Sequence, residues 1–445
     1  MMKNNPKSIT ASLTTATLVL LQNTVSDVAQ AEAQVQAPVQ APAQDFSLDA
    51  GVLYYSEGSD GVQVIKPAVR ITGKFQDDDA FNLLLTTDAI TGATPNGAVV
   101  QQSVQTFTST SGGTYKAGVG ERPKEDDFSE YRISIKGSYS FAVSDNDRIL
   151  LNGYSSRERD YTSLGLGGGL LHDFNNRNST LNVELNTYLD WQEPRGGIPV
   201  EFTPMLSGIH NSGPDVRDTK NILDFNLGLT QILTPHSLVK VNLNINNSTG
   251  YLNNPYQVLS VLDANDNITS DGLINVDPAA LPYVFEKRPD DRLRSSVFGS
   301  LVQNFGGDVM HFTYRYYWDD WQVSSNTFDL RYRFKLTDKQ ALMPHLRYYQ
   351  QSEAEFYRHH LEQGVDVDAN GQVLLNAASA DYRLAAFSSY VIGLGYSMQF
   401  ASTDEMLIRL EYFAEQFDKQ NGVRADQQLD DLTALSLQIR YSFYW

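Results

Sequence analysis

From residue 46 onward, apolar and polar side chains alternate with a period of two, in segments separated by turn residues. In 325–336, Phe328, Leu330, Tyr332, Phe334 and Leu336 oppose Asp329, Arg331, Arg333 and Lys335. In 238–246, Val239, Val241, Leu243 and Ile245 oppose Lys240, Asn242, Asn244 and Asn246. In 180–190, Leu181, Val183, Leu185 and Leu189 oppose Asn182, Glu184, Asn186 and Asp190. Successive side chains of a strand point to opposite faces, so each segment predicts a strand with one apolar and one polar side. The last eleven residues are the clearest case: Leu435, Leu437, Ile439, Tyr441, Phe443 and Trp445 alternate with Ser436, Gln438, Arg440, Ser442 and Tyr444. On the edge of a soluble sheet such a row is an aggregation template. In a barrel that closes within a bilayer it faces lipid and pairs with the first strand.

Sixteen strands are predicted, at 46–56, 62–75, 80–90, 130–143, 148–156, 161–173, 180–191, 221–233, 238–247, 292–305, 309–319, 325–336, 341–351, 385–400, 406–416 and 433–445. The connections alternate in kind. Tight Asp, Asn, Gly, Ser and Pro turns at 76–80, 144–147, 175–179, 234–237, 306–308, 337–340 and 401–405 occupy every second link. The other links include the long segments 91–129, 192–220, 248–291, 352–384 and 417–432. Tyr and Trp gather near strand ends, at Tyr54, Tyr55, Trp191, Tyr348, Tyr349, Tyr444, Trp445 and within 316–321, as interfacial girdles require. The expected fold is all-β: a transmembrane antiparallel up-and-down β-barrel of about 16 strands, both termini periplasmic. One charge facing lipid at midplane costs about 2–4 kcal/mol, so faces bearing three or four must be wet. The expected lumen is polar, and inward folding of the segments at 91–129 and 248–291 would decide how far it is open.

The N-terminus supplies an address. Lys3 and Lys7 precede a modest apolar run at 11–21, then Ala29-Gln30-Ala31 gives an A-x-A pattern. This predicts a signal peptide over 1–31, a Gln/Ala/Pro-rich periplasmic lead over 32–45 and a barrel over 46–445, in the outer membrane of a Gram-negative envelope. The run is too short for a spanning helix. A net charge of −19 argues against nucleic-acid binding, and the absence of cysteine argues against disulfides and thiolate metal sites.

Candidate chemistry concentrates on three neighbouring strands. His311 and Arg315, then Arg331, Arg333 and Lys335, then His345 and Arg347 fall on inward faces, with Asp329 among them. Clustered cations in a low-dielectric channel focus a field that attracts anions. The same residues could instead pair across strands with Asp329 and Glu411 and brace the wall. Asp319 and Asp320 read as turn residues between Trp318 and Trp321, with acid/base work as the sharper alternative. Asp366, Asp368 and Asn370, followed by Gly371, match the first half of a calcium loop, though Ala377 stands where a bidentate Glu is needed. Asp263, Asn265 and Asn267 repeat the spacing without the glycine. His359 and His360 lack helical metal-ligand spacing. Gly165, Gly167, Gly168 and Gly169 lack the following helix and Lys of a phosphate loop, which points to curvature or close backbone approach. No cofactor is implied.

The stretches RPDDRLR at 288–294, YRYYWDDW at 314–321 and LRYYQQSEAEFY at 346–357, with TGATPNGA at 91–98 and S-x-E-x-D-Y at 156–161, span most of the chain. In combination they resemble an uncharacterised Gram-negative outer-membrane family defined as a domain of unknown function. The resemblance implies a barrel, with genes for a periplasmic flavin transferase and a thioredoxin-like protein often nearby, and no established catalytic set. Gln438, Tyr441, Phe443 and Trp445 also resemble the C-terminal signal read by the barrel-insertion machinery, with Arg440 where a small residue is expected.

Three functions follow as expectations. The leading one is a porin-like channel passing small polar solutes, anionic ones included, without covalent chemistry. The second is a non-conducting barrel that docks a periplasmic redox or assembly partner. An outer-membrane enzyme ranks last. Expected partners are outer-membrane lipid and the insertion machinery, and further copies of the chain are compatible.

Overall fold

Period-two alternation becomes sixteen strands hydrogen-bonded in a closed ring. The structure is a computed structural model that describes residues 46–58, 61–75, 79–108, 114–194, 196–207, 217–400, 404–420 and 423–445. The expected signal peptide and periplasmic lead lie outside the described residues, as does most of the turn at 76–80 and of that at 401–405.

In chain order the strands are β1 (Phe46–Ser56), β2 (Gln63–Lys74), β3 (Ala80–Pro95), β4 (Gln105–Thr108), β5 (Thr114–Ala117), β6 (Lys124–Ala142) and β7 (Asp147–Arg157). There follow β8 (Tyr161–Phe174), β9 (Ser179–Gln192), β10 (Pro204–Leu206), β11 (Asp218–Thr234), β12 (Ser237–Gly250), β13 (Val258–Leu262), β14 (Ala280–Phe285) and β15 (Asp291–Asn304). The last are β16 (Val309–Asp319), β17 (Ser324–Thr337), β18 (Gln340–Gln351), β19 (Leu361–Glu362), β20 (Phe387–Gln399), β21 (Glu405–Phe417) and β22 (Leu432–Tyr444). The ring runs β1-β2-β3-β6-β7-β8-β9-β11-β12-β15-β16-β17-β18-β20-β21-β22 and returns to β1, with every pair antiparallel.

The terminal strand is the seam. It pairs with β1 from Ser47↔Tyr444 to Ser56↔Leu435, so no edge is left unpaired. Phe46 and Trp445 exchange backbone hydrogen bonds of 3.1 Å in both directions, and their rings stack at 5.9 Å.

Two solvents explain the two faces. Outward rows such as Leu164 and Leu166, or Ile392 and Leu394, lie open, with Leu166 72% and Ile392 62% exposed. In water such a belt would drive aggregation, whereas in a bilayer it meets hydrocarbon. Inward rows are mostly polar. Asn244 donates to Asn226 (3.0 Å) and to Asp224 (2.9 Å), and Asn246 donates to Asp224 (3.0 Å), a ladder across β11 and β12. The glycines of β8 fit this pattern of close approach: a Cβ on Gly165, Gly167 or Gly169 would overlap Tyr188, Asn186 or Glu184, which lie across them.

The sixteen expected strands correspond to the ring, but β6 begins at Lys124 rather than 130, past a bulge between Gly92 and Thr94 on β3. The remaining six strands were not expected. β10, β14, β13 and β19 form a four-stranded sheet and β4 pairs with β5, all within the long loops. All five residues of β13 are buried, unlike the alternating ring strands. An apolar run, broken here only by Ser260, is what a strand covered on both faces requires.

Candidate functional site

The long loops fold into the mouth of the barrel. Tyr256, from the β12–β15 loop, packs against the inward side chains Leu53, Tyr55, Val64, Ile90 and Ala434 of the wall. Its hydroxyl donates to Asp160 of the β7–β8 loop at 2.6 Å. Leu252 of the same loop packs against a second rim cluster, which holds Trp321 and Phe356 and is also flanked by Tyr317 and Phe417. Above them Leu259, Val261, Leu273, Val284, Leu361 and Val367 form one buried core, and Ala98, Phe107, Met205 and Tyr283 a second. This cap is a folded layer with apolar cores of its own.

A buried ion cluster fastens the cap. Arg288 Nε lies 2.6 Å from Glu286 and its Nη2 2.7 Å from Asp381, while Arg383 Nε donates to Asp381 at 2.7 Å. Ser379 donates its hydroxyl to Glu286. Burial would raise Asp381, but the guanidiniums of Arg383 and Arg288 overcome it and hold the carboxyl well below the usual range. Glu286 is pushed up by complete burial, offset in part by Arg288. The cluster ties the β12–β15 loop to the β18–β20 loop. Nearby, His359 Nε2 lies 2.8 Å from the Gln427 carbonyl oxygen, and burial with the adjacent His360 lowers its pKa to about 4.

Below the cap, the expected basic face is braced. His345 is 2% exposed, with Nδ1 2.8 Å from Glu411 and Nε2 2.8 Å from Asp329. Arg331 Nε lies 3.3 Å from Asp329, and Arg347 stands opposite Asp329 in register. His311 stands opposite Arg331, and the Arg315 guanidinium lies 5.5 Å from the Phe298 ring centroid. Arg333, opposite Val309, is near the short-turn end. Lys335 does not join the patch: it lies at that rim, 2.7 Å from Asp338. Geometry thus favours bracing over an unpaired cationic wall for His345 and Arg331.

The remaining candidates are also engaged. Asp319 bonds Arg292 and accepts from Tyr317 (2.6 Å) and Val323 N (2.9 Å), and Asp320 accepts from Leu293 N (2.9 Å). Asp366 accepts from Glu362 N (3.0 Å), and Asp368 from Asn370 N (2.9 Å) and Gln372 N (2.8 Å). Among the described residues no three His, Asp or Glu side chains group as metal ligands. Of the C-terminal residues, Gln438 points inward, while Tyr441, Phe443 and Trp445 lie on the outer face or end of the seam.

A further cationic stretch of lumen, outside the three strands singled out from the sequence, lies at the seam. Lys66 and Arg70 of β2, Arg409 of β21 and Arg440 of β22 line one cavity with Asp49 and Gly51 of β1. The signal was present in the alternation: Lys66, Ala68 and Arg70 are the inward row opposite Ile65, Val69 and Ile71. It becomes visible only when strands from both ends of the chain are placed side by side.

A closed barrel with an apolar exterior, a polar lumen and a folded cap defines a transmembrane β-barrel protein. The chain belongs to the family described as "Protein of unknown function (DUF3570)", whose model matches residues 10–443. No curated protein matches it. Among solved structures it is similar to the CymD monoaromatic hydrocarbon channel, at 10% identity and a TM-score of 0.38 over 90% of this chain and 89% of that one. It is also similar to Pseudomonas aeruginosa OccK2 (OpdF), at 9% identity and a TM-score of 0.38 over 90% and 98% of the two chains. A third is the siderophore receptor PirA from Acinetobacter baumannii, at 11% identity and a TM-score of 0.41 over 88% and 58%.

Proposed function

We propose that the protein is an outer-membrane channel of restricted aperture that passes small polar solutes passively. The observation that carries this reading is the predominantly polar inner face below the apolar contacts of the cap. On β6 alone Arg132, Ser134, Lys136, Ser138 and Ser140 follow one another inward, beside Asp88, Thr86, Leu84, Asn82 and Ala80 of β3. A lumen sealed by packing would favour apolar side chains there, because each unpaired buried polar group costs free energy. With the cap narrowing entry, passage in this reading is confined to small solutes, selected by size and by charge. Proteoliposomes holding the folded protein should swell in small polar solutes and not in oligosaccharides. Equal swelling with and without protein would sink the reading.

A second reading is a barrel that docks a periplasmic redox or assembly partner. It draws support from the cap cores, since a mouth filled by folded loops suits a non-conducting scaffold. Crosslinked envelopes should then yield one stoichiometric periplasmic partner, and proteoliposomes should show no permeation.

A further inference from the structure

Where the two ends of the chain meet, four cations stand within three adjacent rows of the lumen wall. Reading across β2, β1, β22 and β21, the inward side chains are Lys66, Leu53, Gln438 and Arg409; then Ala68, Gly51, Arg440 and Leu407; then Arg70, Asp49, Ser442 and Glu405. Successive rows are about 7 Å apart along the strands. The middle row is hollow because Gly51 contributes no side chain, and a Cβ there would sit 3.2 Å from the Ile439 carbonyl oxygen. The hollow is a cavity of about 60 Å³ whose wall is mostly apolar, with Leu53, Leu84 and Leu407 between the cations.

The cations around it differ in how far they are committed. Lys66 lies 3.5 Å from Asp88, and Arg409, 1% exposed, lies 3.9 Å from Glu411. Arg70 is 7% exposed, and its Nε has no hydrogen-bond partner among the described residues. Asp49, its neighbour across the rung, accepts instead from the Ser442 hydroxyl at 2.5 Å. A buried guanidinium nitrogen without an acceptor is costly even with the Asp49 charge nearby, and the planar fork matches the two oxygens of a carboxylate or phosphate group.

We propose that this hollow is a binding station for a small oxyanion, the carboxylate or phosphate group of a polar solute crossing the lumen. The proposal rests on the passage reading above. The cavity takes one such group, and the rest of the solute lies in the wider lumen. Arg70 supplies the fork, and Arg440 and Lys66 supply the surrounding positive field. Glu405 and Asp49, at the short-turn side, set a lower limit to the positive stretch.

The test compares wild type with Arg70→Gln in planar bilayers, using inorganic phosphate and citrate as blockers of chloride current. Correct folding is checked by heat-modifiable migration. Block by either anion, weakened about tenfold or more in the variant, supports the station; the anion that blocks identifies the group. A conducting wild type that neither anion blocks, or equal block in both proteins, overturns the station and leaves the channel standing. If wild type does not conduct, the passage reading fails on its own. The station is then decided by calorimetry of phosphate and citrate on the detergent-folded barrel: binding lost in the variant upholds it, and no binding overturns it. Should Arg70→Gln fail to fold, Gly51→Ala, which sets a methyl group into the hollow, takes its place with the same expected outcomes.

Discussion

The hydroxyl of Tyr256 donates to the carboxylate of Asp160 at 2.6 Å, joining the β12–β15 loop to the β7–β8 loop at the barrel mouth. Both residues are buried. Removing the donor leaves a buried carboxylate short of one hydrogen bond, at a cost of about 1–3 kcal/mol. Tyr256→Phe should therefore loosen the cap while sparing the ring. Hydrogen exchange should rise at 258–262 and not in the strands of the wall. Unchanged exchange at 258–262 would show that apolar packing alone holds the loop.

The brace at His345 leads to a stability prediction. His345→Ala leaves Asp329 and Glu411 facing one another in the wall without the ring between them. Loss of one partner from such a buried charged group costs about 3–5 kcal/mol. The variant should unfold at lower temperature in a heat-modifiability assay, whereas Lys335→Ala, at the exposed rim, should move the midpoint little. Equal midpoints for His345→Ala and wild type would contradict the bracing role.

Acid should loosen the cap through His359. Its folded pKa, about 4, lies below its unfolded value of 6.5 because of burial and His360. The unfolded chain therefore binds the proton more tightly. The stabilisation is fully present above pH 6.5 and is lost as pH falls towards 4, a change on the order of 2–3 kcal/mol. Exchange in 423–431 should accelerate between pH 7 and pH 4.5 in wild type, and this dependence should flatten in His359→Gln. The same pH profile in both proteins would assign the effect elsewhere.

Assembly should fail at the seam before transport does. Phe443 lies on the outer face, and Trp445 stacks on Phe46 while bonding its backbone. Deleting Trp445 removes both backbone bonds that join the chain ends at Phe46. Less folded barrel should reach the membrane, with unaltered permeation per folded molecule. Normal yield of folded protein from the deletion variant would contradict this.

The ring was legible because lipid and water impose a strict two-residue code. Each strand carries its instruction locally, as in Phe328 to Leu336 against Asp329 to Lys335. The cap was not legible, because β13 and β14 are short apolar runs inside polar loops and their partners lie far away in the chain. Leu259 meets Leu361 only after the ring has brought their loops together. The site was half legible. Inward orientation of Arg331 and His345 follows from parity, but their pairing with Asp329 and Glu411 depends on register, and Glu411 is 66 residues from His345. The seam cavity failed for the same reason: Arg70 and Arg440 are neighbours only once β22 has closed on β1.

Single-channel recording of the purified full chain in planar bilayers decides whether a wet path persists through the capped barrel. Small, discrete current steps in potassium chloride are expected, becoming larger or noisier in Tyr256→Phe. Correctly folded protein that inserts and yet passes no current, in wild type and in Tyr256→Phe alike, would contradict it.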